Sequence, residues 1–173
     1  MTNETATDAI SVLTADHESI SHLFSKYEEL LASGADVAAR KALALLICRA
    51  LAAHATAEEE LLYPAARDAL EDDATLDGAQ NDHDSMRMLM RQIEALDAAD
   101  GRFDAMVTML ERVVAEHVQQ EEGNLFPRLE YTSLDLDGLG QRIVARRSEV
   151  ELQLKRDAPS RRTLETTRET GDG

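Results

Sequence analysis

One pattern occurs twice in this chain and leaves few folds open to it. Asp16-His17 returns as Asp82-His83, 66 residues later. His54-x-x-x-Glu58-Glu59 returns as His117-x-x-x-Glu121-Glu122, 63 residues later. The second match runs on, from Leu62-Tyr63-Pro64 to Leu125-Phe126-Pro127. A duplicated unit of this length predicts two equivalent halves packed against each other.

Hydrophobic spacing makes the elements of each half helices. Residues 8–32 carry Leu13, Ile20, Phe24, Tyr27 and Leu31 at helical steps. Residues 37–68 carry Leu43, Ile47, Leu51, Leu61 and Ala65, and residues 78–98 carry Met86, Met90 and Ile93. Residues 103–130 carry Phe103, Met106, Leu110, Val113 and Leu125, and about 134–155 form a fifth segment with Leu136, Leu139, Ile143 and Val150. No stretch alternates as a strand does. Ser33-Gly34-Ala35-Asp36 reads as a turn, with Asp36 the N-cap of the next helix. Glu71 to Gly78 reads as an acidic connection, and Asp100-Gly101 and Tyr131-Thr132-Ser133 as short breaks. Short connections between long helices make antiparallel neighbours. The expected fold is all-α: an up-down-up-down four-helix bundle with a pseudo-twofold repeat and an additional C-terminal helix. The bundle is expected over 1–155, with its core in 8–130, and a polar, disordered tail over 156–173.

Helix geometry gives the repeat a chemical meaning. Residues four apart differ by about 40° around the axis and share a face. His54 therefore points with Glu58, and His117 with Glu121. Each of these histidines also lies on its helix's apolar stripe, as do His17 and His83 on theirs. Six polar groups aimed at a core would cost several kcal/mol if left without partners. They must pair as His–Glu hydrogen bonds or bind metal, and the duplicated spacing on four helices favours metal. Four imidazoles and two carboxylates suit first-row metals of intermediate softness, not Ca²⁺ or Mg²⁺. Six ligands exceed a tetrahedral zinc centre and fit two ions sharing carboxylates. Iron is the first choice, ahead of manganese and zinc.

The set His17, His54-x-x-x-Glu58, His83, His117-x-x-x-Glu121 resembles the hemerythrin-like, or HHE cation-binding, domain over about residues 8–130. The resemblance implies a four-helix bundle around two iron ions per chain, bridged by oxo or hydroxo and by carboxylates. It implies His17, His54, His83 and His117 as ligands and Glu58 and Glu121 as bridges. It also implies a small-molecule partner: O₂, hydrogen peroxide or nitric oxide. Oxygen-carrying hemerythrins add a fifth histidine one turn after the third-helix histidine. Here that position is Arg87. The fifth histidine of this chain, His22, falls off the core face and is expected to be exposed. A missing imidazole leaves a coordination position open and favours peroxide chemistry over reversible oxygen carriage.

Tyr63 is a candidate additional ligand, because its repeat partner is Phe126 and a phenolate would then mark one iron only. Regular helix geometry turns residue 63 far from the His54 face unless Pro64 distorts the turn; the competing reading is a packed aromatic cap. Glu59 and Glu122 rotate about 100° from the ligand glutamates and either support the ligands from outside or lie on the surface. Asp16 and Asp82 either orient imidazoles or serve as caps and surface charge. The methionines read as core filling and Cys48 as a small buried hydrophobe.

Composition narrows the function classes. The 173 residues hold 18 basic and 34 acidic side chains, a net charge of −16. Such a surface repels nucleic acid and anionic membranes and draws cations. No run is long and apolar enough to span a bilayer. The N-terminus lacks a secretory pattern and a single cysteine forms no internal disulfide, so a cytoplasmic location is expected. The acidity lies in residues 1–140, while 141–173 are slightly basic and either lie against the acidic bundle or form ordinary solvated surface. The leading function is a non-haem di-iron protein that decomposes hydrogen peroxide, catalase- or peroxidase-like. The alternatives are O₂ or nitric oxide binding and sensing, or iron handling and repair.

Overall fold

The computed structural model describes residues 8–157, which are all-helical with no strand among them. The residues form four rods and a fifth helix. The first rod is α1 (Ala9–Ala32). The second runs unbroken through α2 (Val37–Ala57), a π-helical turn π1 (Glu58–Leu62) and α3 (Tyr63–Leu70). The third is α4 (Asp73–Ala95). The fourth repeats the second, as α5 (Phe103–Gln120), π2 (Glu121–Leu125) and α6 (Phe126–Leu129). The fifth helix is α7 (Leu136–Asp157). The expected tail over 156–173 therefore loses its first two residues to α7, and the rest lies outside the described residues.

The rods pack as expected of a four-helix ring. α1 lies against α2 and α4 against α5, while α2–α4 and α1–α5 contacts close the ring. α7 lies in the seam between α1 and α2 and also meets π1. Aspartate caps set the starts of three helices. Asp8 accepts from the Ile10 and Ser11 amides, Asp36 from Ala39, and Asp72 from Thr75. The last of these corrects the sequence reading of Glu71 to Gly78 as a connection. Glu71 adopts a left-handed conformation (φ 50°) that ends α3, and Asp72 restarts the chain as helix at once. Leu76, fully buried, anchors the new turn in the core.

The apolar core is divided in two, and the division places the site. One cluster fills the end of the bundle holding Phe24, Ile47, Leu51, Met90, Ile93 and Phe103. The other holds Leu13, Leu62, Leu76, Leu125, Leu129 and Ile143 at the opposite end, where α7 joins. Between them, each rod contributes one buried histidine: His17, His54, His83 and His117. Glu58 and Glu121 are buried in the same layer. Met86 and Met90 fill core as expected, but Met88 and Met109 are about half exposed.

Both π turns have one cause. Pro64 and Pro127 have no amide hydrogen and their rings crowd the carbonyl four residues back. The preceding turn widens instead of breaking, so that Tyr63 N–H bonds to Glu58 C=O and Phe126 N–H to Glu121 C=O, five residues back. Such single π turns are frequent at functional sites.

Candidate metal centre

The polar layer is built as two shells of charge around four rings. In the inner shell, Glu58 Oε2 lies 3.2 Å from His54 Nε2 and 3.3 Å from His83 Nε2. Glu121 Oε2 lies 3.4 Å from both His17 Nε2 and His117 Nε2. Each inner glutamate thus touches one histidine from each half. Two groups of atoms close enough to share an ion result: His17, His54, Glu58 and Glu121, and Glu58, His83 and His117.

The outer shell faces the opposite ring nitrogens. His17 Nδ1 is 2.8 Å from Glu122 Oε1, and His83 Nδ1 is 2.8 Å from Glu59 Oε1. His54 Nδ1 faces Asp16 Oδ2 at 3.5 Å, and His117 Nδ1 faces Asp82 Oδ2 at 3.6 Å. A carboxylate beside Nδ1 draws the ring proton there and turns the Nε2 lone pair inward. Glu59 and Glu122 are therefore supports of imidazoles. Asp16 and Asp82 each face the histidine of the neighbouring rod and not their own sequence neighbour, beyond hydrogen-bond distance.

The inward atoms have nothing to bond to. Nε2 of His17 and of His54, both carboxylate oxygens of Glu58 and Oε2 of Glu121 are buried without a hydrogen-bond partner. His83 Nε2 faces His117 Nε2 at 3.2 Å. Orphaned buried acceptors are costly, and nitrogen and carboxylate acceptors converging on one space fit a first-row metal. Without a cation, protons take that role. Burial would lower the His83 imidazole, but hydrogen bonds to Glu58 and Glu59 bring it up to about 9. His54, wholly buried, is raised by the charge of Glu58 in the same way. Burial would raise the Glu58 and Glu121 carboxyls, but the adjoining imidazoles hold both below the usual range.

Arg87 takes no place in the inner shell. Its guanidinium donates to Glu59 Oε2 at 2.6 Å and so braces the support of His83. Burial would raise the Glu59 carboxyl, but His83 and Arg87 together bring it down to about 2. Arg147 of α7 pairs with Asp16 in the same manner. With Arg146, which holds Glu60 at 2.6 Å, it ties the basic fifth helix to the acidic bundle. His22 is exposed, as expected.

Tyr63 lies inside the layer, contrary to the regular-helix expectation. Five residues are about 1.4 turns of α-helix but about one π turn, so residue 63 comes round above Glu58. Its hydroxyl donates to Glu121 Oε1 at 2.8 Å and lies 3.3 Å from His83 Nε2. Its ring stacks on His83 at 5.4 Å between centroids. At the equivalent place Phe126 stacks on His17 at 5.8 Å and offers no polar atom. The repeated Leu-aromatic-Pro was the signal available in the sequence. Reading it as a helix end missed the wide turn.

Known proteins agree with this architecture. The hemerythrin HHE cation binding domain family matches residues 8–129. A crystal structure of a hemerythrin HHE cation binding domain-containing protein from Mycobacterium kansasii superposes with a TM-score of 0.71 at 23% identity, covering 87% of this chain and 93% of that one. A DNA nickase of Nostoc sp. is 38% identical over 80 residues, which are 46% of this chain and 22% of that protein. The chain thus spans about a fifth of that relative, whose activity is its own. No described helix is long and apolar enough to cross a membrane. With its duplicated His/Glu layer and a match across most of its length, this chain belongs to the hemerythrin HHE cation-binding domain family.

Proposed function

We propose that this chain is a non-haem di-iron protein that reacts with hydrogen peroxide in a catalase- or peroxidase-like manner. The observation that carries the reading is the convergence of four imidazoles and two carboxylates on one buried space, where Nε2 of His17 and His54, both oxygens of Glu58 and Oε2 of Glu121 have no partner, with one phenol at one end only. His17 and His54 would hold one ion and His83 and His117 the other. Glu58 and Glu121, each against one histidine of each half, would bridge them along with an oxo or hydroxo group. Two iron ions held this way supply a two-electron couple, enough to take one peroxide to water and a second to dioxygen.

The chain's own residues prepare that chemistry. Glu122 and Glu59 hold the His17 and His83 rings in one tautomer. The apolar clusters on both sides exclude bulk water from the layer. Burial, together with the charges of Glu58 and Glu121, pushes the Tyr63 phenol well above its usual range. Without metal it therefore stays a donor to Glu121; an adjacent cation reverses the field and favours the phenolate. Tyr63 would then ligate the His83/His117 ion, in place of the imidazole that Arg87 does not supply. The single cysteine, Cys48, buried and unpaired, suits a reducing compartment such as the cytoplasm.

Metal analysis joined to visible spectroscopy tests the reading. Two irons per chain, oxygen evolution on adding peroxide, and a phenolate-to-iron band absent in Tyr63→Phe are the expected results. Less than one iron per chain after growth in iron-rich medium, or peroxide turnover no faster than free iron, would overturn it. A band unchanged in Tyr63→Phe would remove Tyr63 from the ligand set and leave the rest standing.

A further inference from the structure

The two halves differ most where they meet solvent. In the first half, α7 covers the seam between α1 and α2, with Leu139 and Ile143 packed among Ala9, Leu13, Ala57 and Leu62. Among the described residues no helix covers the equivalent seam between α4 and α5. A cleft of about 240 Å³ lies there, and its lining includes both His117 and Glu121.

The sequence difference follows the covering. Adding the repeat offsets takes Val12 to Gly78, Ala57 to Gln120 and Leu61 to Asn124. In the first half those positions are apolar and buried or half-buried near α7; in the second they are small or polar and line the cleft. Under α7 a hollow of about 230 Å³ remains, but it stops at Asp16 and His54 and has no inner glutamate in its lining. The openings along the α1/α5 seam likewise reach the layer at His17 alone. On the face towards the Phe24 end, the four imidazoles enclose about 10 Å³, no more than one water requires.

Of these openings among the described residues, the α4/α5 cleft alone has an inner carboxylate in its lining, at the end of the layer where Tyr63 donates to that same residue, Glu121. The two residues of the layer in its lining, Glu121 and His117, each have a buried polar atom without a partner, Oε2 and Nδ1. We propose that this cleft is the path by which the small oxidant reaches the site. Thr75, Gln120 and Asn124 form its hydrogen-bonding wall, suited to a water-like, polar molecule of the size of peroxide. The assignment rests on the di-iron reading above and adds to it a route and a set of selecting residues. The repeat has kept its inner shell in both halves and specialised its surfaces, one seam as the seat of α7 and the other as the mouth.

Gly78 offers a clean test. Gly78 lines the cleft, and a Cβ built there meets no heavy atom within 4 Å, so the position itself has room for a side chain. Stopped-flow mixing of the iron-loaded full chain with hydrogen peroxide, and separately with azide, reads the rate of visible spectral change. Gly78→Phe should slow both by about tenfold or more, with iron content, resting spectrum and melting temperature retained. Gly78→Ala should keep the original rates. Asn124→Leu, which installs the residue found at Leu61, should slow peroxide about fivefold, the effect of one lost hydrogen bond. Ser19→Phe and Ser21→Phe, at the other openings, should change neither rate. Original rates in Gly78→Phe, or equal slowing in Ser19→Phe or Ser21→Phe, would overturn the proposal while leaving the di-iron reading intact. A wild-type chain that takes up no iron would overturn both.

Discussion

The first half of the bundle, α1 with α2–π1–α3, and the second, α4 with α5–π2–α6, share an inner layer and its ring of carboxylates and differ outside them. His17 and His83 correspond, as do His54 and His117, Glu58 and Glu121, and each outer carboxylate with its counterpart. The supports of those carboxylates do not correspond. Arg147 braces Asp16 and Arg87 braces Glu59, while their equivalents Asp82 and Glu122 have no arginine partner among the described residues. Tyr63 faces Phe126 across the pseudo-twofold axis. The difference teaches that the six inward groups are held alike in both halves. The residues around them are where the halves diverge.

The largest expected effect tests the shared layer. Glu58→Ala and Glu121→Ala each remove an inner carboxylate flanked by a histidine from each half. Both should lower iron from two per chain to one or less by metal analysis. A variant that keeps both irons would show that the halves are not equivalent at their centre.

Next come the outer carboxylates. Glu59→Gln and Glu122→Gln should weaken metal affinity by about 10- to 100-fold in competition with a chelator. The loss should be larger for Glu59, because Arg87 also loses its closer partner and keeps only Asp84 at 3.4 Å among the described residues. Equal losses would mean that Arg87 contributes nothing through Glu59.

Acidity gives a third test. Metal requires neutral imidazoles, whereas metal-free His83 keeps its proton up to about 9. Metal affinity should therefore rise with pH until about 9, with proton release on binding that isothermal titration in two buffers can count. The metal-free fold behaves in the opposite sense. A histidine raised in the folded state stabilises it fully below its ordinary value near 6.5, and that contribution fades as pH climbs through about 9. Chemical denaturation of the metal-free chain across pH 6 to 10 should show this loss, and iron-loaded protein should not.

The smallest effect concerns α7. Arg147→Ala should cost about 1 kcal/mol or less in urea denaturation, the usual worth of a partly exposed ion pair. It should also shift the His54 side of the metal spectrum more than the His117 side, whose Asp82 has no such brace.

Much of this was legible beforehand. The helical period, the duplicated His-x-x-x-Glu and the coincidence of each histidine with an apolar stripe are local properties, and they placed all six inward residues in one layer. Asp36 was recognisable as a cap for the same reason. What escaped was non-local or depended on a break in regular geometry. The segment from Glu71 to Gly78 looks acidic and aperiodic, yet Leu76 finds a core contributed by other helices. Glu59 and Glu122 were divided evenly between support and surface, because the imidazole each one meets belongs to another rod.

The amino-acid sequence by itself determined the class of fold, the composition of the inner shell and the family, since spacing along a helix dictates which side chains share a face. Tertiary structure alone decided the rest. A proline-widened turn brought Tyr63 into the layer, packing between rods set each imidazole against its outer carboxylate, and the seating of α7 on one seam left the other open among the described residues. Each of these depends on the distance between atoms of different helices, which no periodicity within one helix can specify.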